Sequence, residues 1–144
     1  MTVRRLIAGK GGFVSVAPPD ALVKDIVDQL ENDDVAAVVV SKDGRAIEGI
    51  VSGRTIASGL KLHGKDVLDR PVSEIMTREV VTCDIGEPLK TVYELMDRHH
   101  IRHVPITENG ELCGIINMLD VVRYRLSELS AEAEALKEYV SGRA

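Results

Sequence analysis

The chain has no tryptophan, one phenylalanine and two cysteines, and each scarcity excludes something. Cys83 and Cys113 are too few and too far apart for a disulfide framework or a CxxC metal site. Aromatic platforms for stacking single-stranded nucleic acid are nearly absent. Eighteen basic residues face 23 acidic ones, for a net charge of −5. The basic residues are spread along the chain, not gathered into the basic face of a phosphate-backbone binder. Nucleic acid is therefore not an expected partner. No apolar run approaches the roughly 18 residues that span a bilayer. The opening "MTVRRLIAGKGG" is basic, but its apolar part is too short for a signal peptide. A cytoplasmic chain with no membrane partner is the expectation. Catalytic constellations are missing too. "VSGR" (51–54) is not a GxSxG elbow, His63 has no identifiable partner, and "GKGG" (9–12) lacks P-loop spacing. No enzyme activity and no catalytic cofactor are expected.

What is present is an internal repeat. The composition, 44% hydrophobic and 28% charged over 144 residues, suits one compact domain or two small modules sharing a core. "DVAAVVVSKDGRAIEGIVS" (34–52) matches "HIRHVPITENGELCGIINM" (100–118) in pattern. Both read as an apolar strand, a turn, and a second strand ending in Gly-Ile-apolar. Asp43-Gly44 and Asn109-Gly110 are tight-turn signals, which predicts two hairpins. Val35 corresponds to Ile101 and Gly49 to Gly114, with one residue lost in the second turn. Upstream, "FVSVAPPDALVKDIVDQL" (13–30) and "VVTCDIGEPLKTVYELM" (80–96) each read as strand, turn, helix. Val23, Ile26, Val27 and Leu30, and then Leu89, Val92, Tyr93 and Met96, fall at helical spacing. "GRTIASGLKLHG" and "MLDVVRYRLSEL" supply a last helix in each half. Each half is strand–helix–strand–strand–helix, an α/β unit of the α+β type. A unit near 65 residues buries only about 60% of its unfolded surface and is marginal alone, so the two halves, packed sheet against sheet, are expected to give one adequate core.

Three local patterns bear on function. In "GIINMLDVV" (114–122), Asn117 and Asp120 sit three apart where a helix begins. Asp120 there serves either as a helix cap or as a grip on a ribose diol whose phosphate lies on the helix N-terminus. His99, His100 and His103, flanked by Arg98 and Arg102, read as residues near a helix C-terminus, where cations are welcome. They do not read as metal ligands, since no acidic or Cys ligand lies at a fitting spacing. Val122, Leu126, Leu129, Ala133, Leu136 and Val140 are spaced 4, 3, 4, 3, 4, a heptad stripe that ends at Ser141-Gly142. It serves either as a helix lying on its own domain or as a dimer contact.

At this point the chain resembles the paired CBS (cystathionine β-synthase) domain. The resemblance rests on Gly49-Ile50-Val51-Ser52-Gly53-Arg54-Thr55 and Gly114-Ile115-Ile116-Asn117-Met118-Leu119-Asp120. "VSEIMT" before the second copy and "RHVPI" at its second strand are similar as well. It covers about residues 3 to 126 and implies two modules packed sheet to sheet with pseudo-two-fold symmetry. The expected boundaries are a first module at 1–67, a linker at 68–79, a second module at 80–126, and a C-terminal amphipathic helical extension at 127–144. The family's pattern implies a non-catalytic module that binds an adenosine ligand between its halves: AMP, ADP, ATP or NAD(H). The Asp takes the ribose diol and the Ser or Thr three before it reaches phosphate. The second half keeps Asp120 but has Asn117; the first keeps Ser52 but has Thr55 where Asp is expected. By that similarity the main cleft would be built from Asp120, Asn117, Ile115, Val14, Val35 and Ala36. Arg102, His103 and Lys10 would stand within reach of phosphate, although the "GKGG" run carrying Lys10 also reads as a flexible lead-in to the first strand. A second, weaker cleft would hold Ser52, Arg54, Thr55, Val81 and Ile101. The expected partners are an adenine nucleotide, a second copy of the chain and a separate regulated protein. The alternative is a ligand-free interaction and dimerisation module.

Overall fold

The structure, a computed structural model, describes residues 1–141. Gly142, at the expected end of the heptad stripe, and residues 143–144 of the expected extension lie outside the described residues. The repeat is realised as two three-stranded sheets. In the first half β1 (Val16–Ala17), α2 (Val23–Asn32), β2 (Ala37–Val40), β3 (Gly49–Ser52) and α3 (Gly53–His63) follow one another. In the second half β4 (Cys83–Asp84), α4 (Leu89–His99), β5 (His103–Glu108), β6 (Glu111–Asn117) and α5 (Met118–Val140) do the same. In each sheet the short first strand runs parallel to the middle one, and the middle pairs antiparallel with the third. Ala37 faces Ser52 and His103 faces Asn117, so the second hairpin is one residue shorter, as the repeat offset requires.

The hairpins differ in their turns. Asn109 (φ 54°) and Gly110 (φ 78°) take the left-handed conformations of a two-residue turn. Asp43-Gly44 does not close such a turn. It lies in an eight-residue connection between β2 and β3. There the Asp43 carboxylate accepts from the backbone N–H groups of Arg45 and Ala46 at 2.8 and 2.9 Å. Those two bonds hold its pKa below the ordinary value. A carboxylate stabilised that way keeps the loop wide.

Two apolar cores result. Val23 and Ile26 of α2 pack with Val38, Val40, Val51 and Ile56. Leu89, Val92 and Met96 of α4 pack with Val104, Ile106 and Ile116. The buried Ser15 ties β1 to α2: its hydroxyl donates to Asp33 at 2.6 Å and accepts from Gln29 at 2.7 Å. The segment between the halves is not a free tether. Its buried Val72 and Met76 belong to the first core.

One element was not foreseen. Residues 3–10 form a helix, α1 (Val3–Lys10), capped by the Thr2 hydroxyl, where the sequence suggested only a glycine-rich lead-in. Val3 and Ile7, one turn apart, are buried in the second core. α1 repeats for the second half what the linker does for the first. Thr2 bridges Pro88 as Pro71 bridges Leu22, and Ile7 covers Gly114 as Met76 covers Gly49.

Candidate functional site

The chain places a polar pair at the start of α3 and another at the start of α5, and treats them differently. At α5 the Asp120 N–H donates to Asn117 Oδ1, and the Asn117 N–H donates to Asp120 Oδ2, both at 2.9 Å. This reciprocal box satisfies two of the helix's orphan donors. Lys10, the last residue of α1, adds its ammonium. Nζ donates to Asp120 Oδ2 at 2.5 Å and to the Ile115 carbonyl at 2.9 Å. The Asp120 side chain is only 10% exposed, so its carboxylate is enclosed and already paired.

At α3 the corresponding pair makes the same kind of reciprocal box with hydroxyls in place of the amide and carboxylate. The Ser52 N–H donates to Thr55 Oγ1 at 3.2 Å, and the two hydroxyls lie 3.4 Å apart. Beside them opens a cavity of about 700 Å³ walled by both halves. The α3 end gives Ser52, Arg54 and Thr55, the linker exit gives Thr77, Val80 and Val81, and the start of β5 gives Ile101, Arg102 and His103. Ile50, Val80, Val81 and Ile101 make apolar walls. Arg54 and Arg102 bring cationic forks, and α3 points the positive end of its dipole there. Burial, with Arg102 adjacent, pushes the His103 pKa below its ordinary value, so His103 is neutral near pH 7.

This regroups the expected residues. Ser52, Arg54, Thr55, Val81 and Ile101 line one cavity. Ala36, Arg102 and His103, expected beside Asp120, line that same cavity instead. The reason is topological: Ala36 precedes β2 and His103 opens β5, and these strand ends meet over the α3 side. Val35 packs against the first core and, with Val14, Ile115, Asn117, Asp120 and Lys10, is not on the cavity wall. Sequence reasoning missed Glu79, His63 and His100, all on the lining. Glu79 lies just before the repeated segment that begins at Val80, so the repeat did not mark it. Among the described residues no group of His, Cys, Asp and Glu side chains is arranged to hold a metal ion.

The sequence profile of the CBS domain matches this chain twice, over residues 13–61 and 72–127. The chain belongs to the CBS-domain family. The CBS domain-containing protein CBSX3, mitochondrial, of Arabidopsis thaliana is 29% identical over 127 residues, 85% of this chain. This chain spans 62% of that relative's length. A CBS-domain protein of Agrobacterium tumefaciens, 33% identical, superimposes with a TM-score of 0.83 over 87% of this chain and 99% of its own. The CBS-domain protein PAE2072 of Pyrobaculum aerophilum, solved in complex with AMP, is 25% identical, with a TM-score of 0.77 over 91% and 99% of the two chains. The two halves described above are therefore a tandem CBS pair. Among the described residues no helix is long and apolar enough to cross a membrane.

Proposed function

We propose that this CBS pair is a non-catalytic adenine-nucleotide sensor of the cytoplasm, taking AMP, ADP, ATP or NAD(H) in the α3 cavity and regulating a separate protein. The cavity carries the reading. At about 700 Å³ it lies within the range of small-molecule sites. It combines apolar walls for a purine with a helix N-terminus and two arginines for phosphate. Arg54 and Arg102 hold the phosphates; Ala36, Ile50, Val81 and Ile101 enclose the base. The AMP complex of the Pyrobaculum relative supports the choice of ligand class. Because both halves wall the cavity, nucleotide favours one relative arrangement of the modules. It signals to the extent that it binds two arrangements with different affinity.

The chain also pairs with a second copy through α5. What supports this is the heptad stripe, exposed from Val122 to Val140 and extended by Leu119. The same stripe favours the second reading, a ligand-free interaction module in which α5 docks a different protein.

A thermal-shift panel with AMP, ADP, ATP, NAD and NADH separates the two. Ligand at about 100 times its dissociation constant adds roughly 2.7 kcal/mol, and each kcal/mol raises the melting temperature by roughly 2–4 °C at this chain length. One nucleotide should shift the wild type by several degrees, and Arg54→Ala with Arg102→Ala should abolish most of the shift. No shift with any nucleotide, in a folded chain, would leave the interaction module standing. Release of phosphate or adenosine on incubation would contradict the non-catalytic reading.

A further inference from the structure

We infer that the cleft expected at Asp120 is closed by the chain itself, with the Lys10 ammonium holding Asp120 in the place of a ligand. The inference rests on the nucleotide reading above. In the first half, Ile50 exchanges both backbone hydrogen bonds with Thr77, no amine among the described residues bonds to the helix start, and the cavity stands open. In the second half, Ile115 takes the place of Ile50, and its carbonyl accepts from Lys10 Nζ. The same ammonium reaches Asp120 Oδ2, which also accepts from the Asn117 N–H.

The lysine is delivered by a built device. α1 is anchored by the buried Val3 and Ile7, so Lys10 leaves a fixed helix end. The chain then turns at Gly11, whose φ of +94° suits glycine, and passes over β6. A Cβ on Gly12 would lie 3.1 Å from the Cys113 carbonyl. Residues 10–12 thus cover residues 113–115.

The two halves divide the parts. The half with a carboxylate able to grip a diol has it covered by an amine. The cavity lies instead at the helix start without a carboxylate, with Arg54 of the first half and Arg102 of the second on its wall. A diol reaching Asp120 must displace a charge-assisted hydrogen bond at 2.5 Å. Lys10 therefore sets the number of nucleotides bound: one per chain with the lysine in place, two with it removed.

The test is AMP titration by calorimetry on wild type, Lys10→Met and Lys10→Met/Asp120→Asn, with Lys10→Gln as a second variant and circular dichroism melts to verify folding. The expected stoichiometries are one, two and one per chain. Peptide-resolved reductive methylation of Lys10 accompanies it; the amine should react slowly in wild type and several-fold faster in Asp120→Asn. A Lys10→Met stoichiometry still at one overturns the closure and leaves the α3 cavity reading intact. Loss of the wild-type binding event in Lys10→Met also overturns it, because Lys10 would then be a ligand contact. If wild type binds no AMP, the α3 reading fails. In that case, one AMP gained by Lys10→Met upholds the closure, and none gained sinks it. Equal methylation rates in wild type and Asp120→Asn overturn the ion pair itself.

Discussion

His103 opens β5 with its ring on the cavity wall and the Arg102 guanidinium adjacent. Burial first, and then that neighbouring charge, disfavours the imidazolium, so its folded pKa lies below the ordinary 6.5. The unfolded chain binds the proton at the higher pH, so stability from neutral His103 is full above about 6.5 and is lost as pH falls through the folded value. Urea midpoints at pH 7.5, 6.5 and 5.5 should therefore fall more steeply for the wild type than for His103→Gln. Parallel slopes would remove His103 as a source of acid sensitivity. Asn117 gives a second prediction at this scale. Its amide oxygen accepts the Asp120 N–H, so Asn117→Ala should cost about 1 kcal/mol, as lost caps do, in the urea midpoint at pH 7.5. The sequence made Asn117 and Asp120 legible because a cap needs only local spacing. The resemblance put Lys10 in the same cleft only as a reach toward phosphate; its bond to Asp120 was not legible, because that contact joins residues 110 apart and depends on a helix whose own signal was faint.

That helix, α1, shows what makes an element readable. Val3, Leu6 and Ile7 are its only large apolar residues, Arg4, Arg5 and Lys10 stand among them, and "GKGG" follows at once, so the apolar period was too short to mark a helix. The stronger signal lay in the repeat. Val3, Leu6 and Ile7 echo Val72, Ile75 and Met76 in spacing, and the two segments do the same work over Gly114 and Gly49. The strands and the four longer helices were legible because each carries an apolar face of correct period. The Asp43 loop was misjudged because a carboxylate can cap two N–H groups as readily as it can begin a tight turn. The α1 packing is testable. A Cβ on Gly114 would come 2.7 Å from Ile7 Cδ1 and 3.4 Å from its Cγ1 and Cγ2, and Ile7 is buried. Gly114→Ala should therefore cost roughly 1–3 kcal/mol, the usual range for overpacking. Ile7→Val alone should cost about 0.5–1.5 kcal/mol. Together the two should cost less than their sum, since valine lacks the crowded Cδ1. Additive losses in urea unfolding would mean that β6, not α1, yields to the methyl group.

For the whole molecule the unresolved balance lies in α5. Met118, Val121 and Tyr124 seat its first turns on the second core. Beyond Tyr124 every apolar side chain of the stripe faces outward, from Leu126 at 61% exposed to Val140 at 74%. A projecting helix of about this length is only marginally stable in water, and the nearby Tyr124–Glu128 and Arg125–Glu128 bonds add only a few tenths of a kcal/mol each. Burying a leucine is worth roughly 1.5–3 kcal/mol, so covering Leu126, Leu129 and Leu136 gains far more than the helix's own bonds. A second α5 offers the same stripe in the same register, which a two-fold pairing can use. Neither Leu129 nor Leu136 belongs to a core, so Leu129→Arg/Leu136→Arg should leave each CBS pair folded while removing the contact. Analytical ultracentrifugation at tens of micromolar should show the wild type as two chains and the variant as one, with matching circular dichroism apart from some loss of helix. A wild type sedimenting as one chain, or a variant that stays paired, would reject the α5 dimer and turn attention to a different protein as the occupant of the stripe.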